Sequence, residues 1–428
     1  MKVYFDTVGC RLNQAEIEEM AAILRHTGYE IAGKLEEADL VIINSCAVTA
    51  AASSDSRQKV RQAHQLGIDN IIFTGCWATL YPQQAAMLEG VTSVVDNLEK
   101  MNIPARLLNT DDMIMDLEPI ARKPLPGIHH RTRAFIKAQD GCDNFCTYCV
   151  TRLARGKAVS IPVEKILLQI NEAVDGGTKE IVLTGVNLGS WGKDLNDRRD
   201  LGYLVKQILE KTEIERIRLS SLEPWDITDS FFALWEDDRM CPHLHLPLQS
   251  GSRTVLKQMA RNTTPEKFLR LVESARKQIG NLSITTDIIV GFPGENDAEF
   301  ADSLEFIKLV GFNGGHVFRY SKRENTAAAK FPQQISGTIS KQRAQQVREI
   351  LNHQEKLFLT TQCSKVHKVL WESCRETEPG SWKLEGYSEN YCRVQAGSSE
   401  NRWNKIDSVQ AAKVKGNLVI GKIMSSRS

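Results

Sequence analysis

Arg133-Ala-Phe-Ile-Lys-Ala-Gln139, running into Asp140-Gly141-Cys142-Asp143-Asn144-Phe145-Cys146-Thr147-Tyr148-Cys149, is the stretch from which the rest of the chain can be read. Its first seven residues have the apolar content of a strand, so the three thiols sit in a loop at a strand's carboxyl end. Thiolates are soft ligands that select zinc, copper(I) or iron-sulfur clusters, and the number of ligands separates these choices. The loop supplies three, and no His or fourth Cys stands nearby at finger or ribbon spacing, as a closed structural zinc site would need. A three-thiol iron-sulfur site leaves one iron open, which is a reactive arrangement.

Composition bounds the class. At 428 residues the chain has room for roughly two or three domains. With 54 basic against 53 acidic residues, affinity for nucleic acid must come from a local patch rather than from net charge. Ten cysteines are too few for a disulfide scaffold in a chain of this length, and their grouping in loops suggests metal ligation in a reducing cell. Met-Lys-Val-Tyr-Phe-Asp enters a strand directly with no signal pattern, and no run approaches the roughly 18 apolar residues of a membrane span. A soluble cytoplasmic protein without membrane partners is expected.

The first 120 residues alternate strand and helix. Strands are expected at Val3–Phe5, Leu40–Ile43 and Ile71–Phe73, with helices over Ala15–His26, stopped by Gly28, and Ser56–Leu66, stopped by Gly67. Each strand is followed within a few residues by a cysteine: Cys10, Cys46 and Cys76. One such Cys is ordinarily a small buried residue. Three at the same topological position, on the edge where parallel α/β sheets bind ligands, point to a second three-thiol site.

The C-x3-C-x2-C spacing, with Tyr148 before the last Cys, resembles the signature of radical S-adenosylmethionine (SAM) enzymes. In that family the open iron chelates SAM, and an electron from the cluster cleaves it to a 5′-deoxyadenosyl radical. Thr7-Val-Gly-Cys-Arg-Leu-Asn-Gln-Ala-Glu16, Asn44-Ser-Cys-Ala-Val-Thr49 with Ser56-Arg-Gln58, and Thr74-Gly-Cys76 resemble the N-terminal domain of methylthiotransferases. The resemblance implies a second [4Fe-4S] cluster on Cys10, Cys46 and Cys76 whose open iron carries the sulfur to be inserted. It also implies a sulfur donor and a flavodoxin- or ferredoxin-like electron donor.

A Pro-rich connection, Arg122-Lys-Pro-Leu-Pro-Gly127, precedes six further strand-helix units, which predict a partial (β/α)6 barrel over residues 128–362 with its chemistry at the C-terminal face. The strands are expected at Ala134–Ala138, Ile181–Thr184, Ile217–Ser220, Leu244–Leu248, Thr285–Val290 and His316–Tyr320. By resemblance, Tyr148 and the loops bearing Gly185 and Asn187, Glu223, Gln249 and Gly291 contact SAM. The chain lacks the Pro that many relatives carry between Cys149 and Arg155. It also has Asn325 where the family's Y-S-x-R-x-G-T usually has Gly, a position that Asn tolerates in left-handed backbone.

Ser340–Thr361 reads as one long helix, and residues 363–428 as short alternating strands of a small β-barrel, which resembles the RNA-binding TRAM module. This tail holds eleven Lys and Arg against seven acids, an excess of four. Tyr387, Tyr391 and Trp403 suit either base stacking or the barrel core. Cys241, Cys363, Cys374 and Cys392 lack ligand spacing.

The fold class is therefore α/β: an N-terminal parallel domain, a central partial barrel and a C-terminal small β-barrel. The reading is a radical SAM methylthiotransferase acting on tRNA. The N-terminal motifs look most like the subgroup whose substrate is N6-threonylcarbamoyladenosine at position 37. Its carboxylate needs a charge-matched partner, for which Arg57, Arg152, Arg155 and Arg323 are candidates. The alternatives are action on isopentenyladenosine in tRNA or on a ribosomal-protein aspartate, and, in another class, a non-catalytic zinc-containing RNA-binding protein.

Overall fold

The structure, a computed structural model, describes residues 1–108, 125, 132–196 and 199–424. Arg122–Gly127, Leu125 apart, lies outside the described residues, as do the expected domain limits at 120, 128 and 428. The chain gathers into two compact units, Met1–Asn144 with Cys149–Glu213, and Phe145–Tyr148 with Ile214–Ser428.

The first unit opens with β1 (Lys2–Thr7), α1 (Arg11–His26), β2 (Glu30–Ile31), β3 (Leu40–Ser45), α2 (Ala50–Gln65), β4 (Ile71–Gly75), α3 (Cys76–Leu80), α4 (Pro82–Ala86), β5 (Val91–Val95) and α5 (Ile103–Leu108). Its sheet is wholly parallel, in the order β2-β1-β3-β4-β5. β3 and β4 are buried at every residue, as the continuous apolar runs require of central parallel strands. Two edge strands escape the sequence reading: β2 has only two residues, and β5 exposes Thr92 and Ser93. α2 begins six residues before the expected Ser56, because the Thr49 hydroxyl accepts from the Ala52 amide and the intervening alanines favour helix.

The same unit continues with β6 (Arg133–Asp140), α6 (Thr151–Arg155), β7 (Val159–Ser160), α7 (Val163–Asp175), β8 (Glu180–Gly185) and α8 (Leu201–Lys211). β6 and β8 are parallel, Phe135 opposite Val182, and β7 lies antiparallel against the end of β6.

The second unit carries β9 (Arg216–Leu219), β10 (His243–His245), α9 (Arg253–Gln258), α10 (Pro265–Gln278), β11 (Ser283–Val290), α11 (Asp297–Val310), β12 (Gly315–Arg319) and α12 (Gly337–Gln362). β10, β11 and β12 are parallel, and β9 meets the β10 segment through the bridges Ile217–Met240 and Ser221–His245. β10 is shorter than expected because Pro242 and Pro247 flank it, and proline has no amide to extend the ladder. Helix ends follow the sequence punctuation. Thr264 caps α10 ahead of Pro265, Asn296 and Glu299 form a capping box on α11, and Gly311 closes that helix at φ 65°.

β13 (Val366–Glu378), β14 (Ser381–Ser388), β15 (Arg393–Ser398), β16 (Ile406–Lys415) and β17 (Leu418–Ile423) close into a barrel in the order β13-β14-β15-β17-β16. Its core includes Val369, Leu384, Val394, Val409 and Val419 around Trp371, whose indole donates to Asp407 at 2.7 Å. The barrel is seated on the rest of its unit. Arg216 and Arg218 of β9 are buried and donate to the carbonyl oxygens of Ser388 and, from Arg218, Glu389. Tyr391 stacks between Tyr387 at 4.8 Å and His243 at 4.5 Å, with the Arg218 guanidinium 4.8 Å from its ring centre. Two of the aromatic residues suited to base stacking thus hold this seam. Among the described residues, no helix is long and apolar enough to cross a membrane.

Tyr391→Ala is expected to lower the unfolding free energy by about 2 kcal/mol, read as a lower urea midpoint. Affinity for tRNA at full folding should be unchanged, and a loss of affinity without a loss of stability would return Tyr391 to the RNA surface.

Candidate active site

Parallel strands present their carboxyl ends on one edge, and the first unit places three thiols there. Cys10 lies between β1 and α1, Cys46 follows β3, and Cys76 opens α3 directly after β4. The approach is close enough to dictate a glycine. Gly9 has φ +104°, and a Cβ on it would fall 2.6 Å from the Cys46 sulfur. Burial pushes the Cys46 thiol up to about 12. The Asn97 amide donates to the Cys76 sulfur at 3.6 Å, and the Asn13 side-chain oxygen lies 3.6 Å from that of Cys10.

Beneath the thiols runs a network of buried charge. Glu16, with no exposed side-chain surface, receives Lys100 at 2.5 Å, Arg155 at 2.9 Å and Lys137 at 3.2 Å. Asp140 receives Lys137 at 2.6 Å and Arg155 at 2.9 Å. The other Arg155 nitrogen donates to Asn13 Oδ1 at 2.6 Å. Burial alone would raise the Glu16 pKa, but the charges of Arg155, Lys100 and Lys137 outweigh it and hold the carboxyl well below the usual range. Burial, helped by the neighbouring Arg155 charge, pushes Lys100 down to about 8.

This placement corrects the expectation for Arg155 as a substrate ligand. It is 5 % exposed, and its donors are turned onto Glu16, Asp140 and Asn13. Of the other candidate cations, Arg57 stacks on Trp77 at 5.1 Å, beside Cys76. Arg152 donates to the Asp143 carbonyl at 3.3 Å. Arg323 is half-buried in a turn where Asn325 takes φ 66°, the left-handed conformation that Asn tolerates.

In the Cys142 loop, backbone amides point at two sulfurs. Asn144 N–H donates to Cys142, and Thr151 N–H to Cys149, each at 3.4 Å. Residues 145–148 belong to the second unit, where Tyr148 packs edge-on against Phe292 at 6.4 Å. There Thr147 N–H donates to the Met259 carbonyl, and the Ala328 amide to that of Thr147. Arg261, which the sequence reading missed, has one nitrogen 3.9 Å from the Cys146 sulfur. It grips Glu223 through both oxygens, at 2.8 and 2.6 Å, and stacks 4.5 Å from the Trp225 ring. Burial works against the Arg261 charge and the Glu223 carboxylate more than restores it. Nothing in the spacing of Arg261-Asn-Thr-Thr-Pro265 marks that arginine as buried.

The remaining candidates stand at strand ends. Gly185 closes β8, and Asn187, 6 % exposed, donates its amide to Gln139 at 2.9 Å. The Asn187 side-chain oxygen is buried and has no hydrogen-bond partner among the described residues; the buried Ser220 hydroxyl, just past β9, likewise has none. Gln249 holds φ 69°, a costly conformation for a residue other than glycine and one often found at functional sites. Gly291, at φ +71°, is required locally, since a Cβ would fall 2.2 Å from the Ser340 hydroxyl. Its amide donates to Glu295, which Arg343 pairs at 2.7 Å.

The donor types present suit the groups implied by the sequence. Each thiol set supplies three soft donors of the kind an iron-sulfur cluster takes. Amide donors and the Arg261 cation suit an anionic cluster sulfur, and the unmatched Asn187 oxygen suits a ligand's ammonium. Among the described residues, no three His, Cys, Asp or Glu side chains stand at the spacing of ligands to one metal ion.

A model described as the radical SAM superfamily matches residues 136–307, and one described as uncharacterized protein family UPF0004 matches residues 2–96. The chain is 34 % identical over 424 residues to a protein of Bacillus subtilis named threonylcarbamoyladenosine tRNA methylthiotransferase MtaB, covering 96 % of this chain and 94 % of the relative. The chain belongs to the radical SAM methylthiotransferase family. Its namesake in Thermotoga maritima is 37 % identical, with 91 % and 90 % covered. A family member of Thermoanaerobacter, named tRNA-2-methylthio-N(6)-dimethylallyladenosine synthase, is 33 % identical, with 82 % and 77 % covered. Among solved structures, the radical SAM methyltransferase TsrM of Kitasatospora setae matches with a TM-score of 0.57 at 11 % identity, covering 77 % of each chain, which is a likeness of fold. Membership of the radical SAM superfamily implies a [4Fe-4S] cluster and SAM.

Glu16→Gln is expected to cost about 3 kcal/mol at pH 7, because it strands buried cations. The Glu16 carboxyl is depressed in the fold, so its contribution is present above its unfolded pKa of about 4.3 and is lost as pH falls through the folded value. The gap between wild type and variant in urea unfolding should therefore shrink below about pH 4. A gap that does not depend on pH would contradict the ionised state.

Proposed function

We propose that the chain is a tRNA methylthiotransferase converting N6-threonylcarbamoyladenosine at position 37 to its 2-methylthio derivative. The observation that carries this reading is the second three-thiol set, in a chain that spans nearly the whole of relatives named for that modification. Cys142, Cys146 and Cys149 would hold the SAM-binding cluster, and Cys10, Cys46 and Cys76 would hold a second [4Fe-4S] cluster that supplies the site for the inserted sulfur. The bound groups supply reductive cleavage of SAM, hydrogen abstraction from carbon 2 of the adenine, and the methylthio group.

The chain's own residues orient and shield. Tyr148, packed against Phe292, fixes the loop that carries Cys146. Asn187 offers its unmatched oxygen to the SAM ammonium, and Gly185, Gln249 and Gly291 shape the turns around the cofactor. Glu223 acts through Arg261, whose position it fixes beside Cys146. Arg57, which stacks on Trp77 next to Cys76 in sequence, is the first candidate to meet the threonylcarbamoyl carboxylate, with Arg152 and Arg323 as further cations.

The tail barrel is a TRAM-like RNA-binding module, and Lys413 and Lys415 of β16 are among its exposed cations. The target adenine must be splayed from its stack, as a loop nucleotide can be. The other partners are a sulfur donor and a flavodoxin- or ferredoxin-like electron donor, in the cytoplasm. Action on dimethylallyladenosine is the second reading, favoured by relatives at 33 % identity named for it.

Anaerobic reaction with tRNA carrying either modification, followed by mass spectrometry of nucleosides, separates the two readings. Methylthio product is expected with threonylcarbamoyl tRNA, and product only with the isopentenyl tRNA would overturn the substrate. Ala at Cys10, Cys46 and Cys76 should leave SAM cleavage and abolish methylthio product.

Because the barrel is seated on its unit, RNA binding is better tested by charge than by deletion. Lys413→Glu with Lys415→Glu should weaken tRNA binding and lower the salt slope by about 2. An unchanged slope would move the RNA surface elsewhere.

A further inference from the structure

The buried charges beneath the second thiol set do not balance among themselves. Lys100, Lys137 and Arg155 face Glu16 and Asp140, which leaves one positive charge in excess, and Lys100 and Glu16 have no exposed side-chain surface. An uncompensated charge in such a site is strongly unfavourable, so the excess needs a partner. Arg155 donates to the Asn13 side-chain oxygen at 2.6 Å, and that oxygen lies 3.6 Å from the Cys10 sulfur. Three thiolates on a doubly charged [4Fe-4S] core would carry a net negative charge, and a sulfur ligand on the open iron would add to it.

The contacts also tie together the backbone that carries the thiols. Arg155, on α6, grips Glu16 of α1, the helix that starts after Cys10, and Asp140 at the end of β6, two residues before Cys142. Asn97 adds the third thiol. Its amide donates to the Cys76 sulfur and the Ala154 carbonyl, while its oxygen accepts from Lys100. One guanidinium and one carboxamide thus tie the segments bearing Cys10, Cys76 and Cys142 to a single core.

We propose that Arg155, with Glu16, Asp140 and Asn97, is a positioning and charge-balancing device for the group held by Cys10, Cys46 and Cys76. It fixes that group relative to the Cys142 segment and offsets its negative charge. This inference rests on the reading of those cysteines as ligands of a second cluster. The device predicts two separable effects. The charge sets the reduction potential, because a nearby cation favours the more reduced, more negative state. The forked geometry sets position, and a small misplacement of the sulfur should waste SAM cleavage without transfer. A merely structural arginine would move neither.

The test uses full-length protein. In a Cys142, Cys146 and Cys149→Ala background, only the second cluster can load, and its midpoint potential can be followed by electron paramagnetic resonance. Arg155→Gln should shift that potential to more negative values, and Arg155→Lys, which keeps the charge, should leave it near the parent value. In the otherwise wild-type chain, Arg155→Lys should raise the ratio of 5′-deoxyadenosine released to methylthio product by about tenfold.

Folded, iron-loaded Arg155→Gln with an unchanged potential, or Arg155→Lys with an unchanged ratio, would overturn the proposal. If Arg155→Gln fails to fold, the Arg155→Lys ratio decides alone. Absence of iron from the triple-Ala background with Arg155 intact would sink the second-cluster reading instead, so the two failures are distinguishable.

Discussion

Glu16 lies without solvent contact among three cations, and the first unit is arranged around that carboxylate. A buried carboxylate is tolerated only where cations and hydrogen bonds replace water, so Lys100, Lys137 and Arg155 must all reach it. They come from three parts of the chain: the turn before α5, strand β6, and helix α6 after the Cys142 loop. The carboxylate therefore fixes the register of α1 against β6, and with it the position of Cys10. The apolar clusters around Val3, Phe5 and Ile17, and around Val41, Phe73 and Trp77, supply the burial that makes this pairing strong.

The second unit follows the same logic at smaller scale. Arg261 is held by Glu223, Trp225 and the Pro247 carbonyl with one nitrogen 3.9 Å from the Cys146 sulfur, and Arg343 is held by Glu295 beneath the Gly291 turn. In both units, cations are fixed by a carboxylate near the residues that carry the chemistry. A methyltransferase at 11 % identity shares the fold, so the layout tolerates very different sequences.

What was legible in the sequence follows from how local each signal is. Six cysteines, the strands before them and the capped helices announce themselves through spacing and punctuation over a few residues. The central strands β3 and β4 were legible because burial on both faces writes an unbroken apolar run. β10 was overextended across Pro247, which has no amide to carry the ladder on. Arg155 shows the limit on the site. Its neighbours in sequence suggest a solvent-facing cation, while its partners Glu16 and Asn13 lie well over a hundred residues away. Glu16 left one sign, a carboxylate on the stripe formed by Asn13, Ile17, Met20 and Leu24, which are all buried on α1. Arg261 left none.

The proposal on which the rest depends is that the chain holds two independent three-thiol cluster sites. The most direct measurement is iron and acid-labile sulfide per chain in anaerobically purified protein, with and without Ala at Cys142, Cys146 and Cys149. The account predicts that the variant keeps about half of each, on Cys10, Cys46 and Cys76. Full iron in the variant, or zinc without sulfide in the parent, would contradict it.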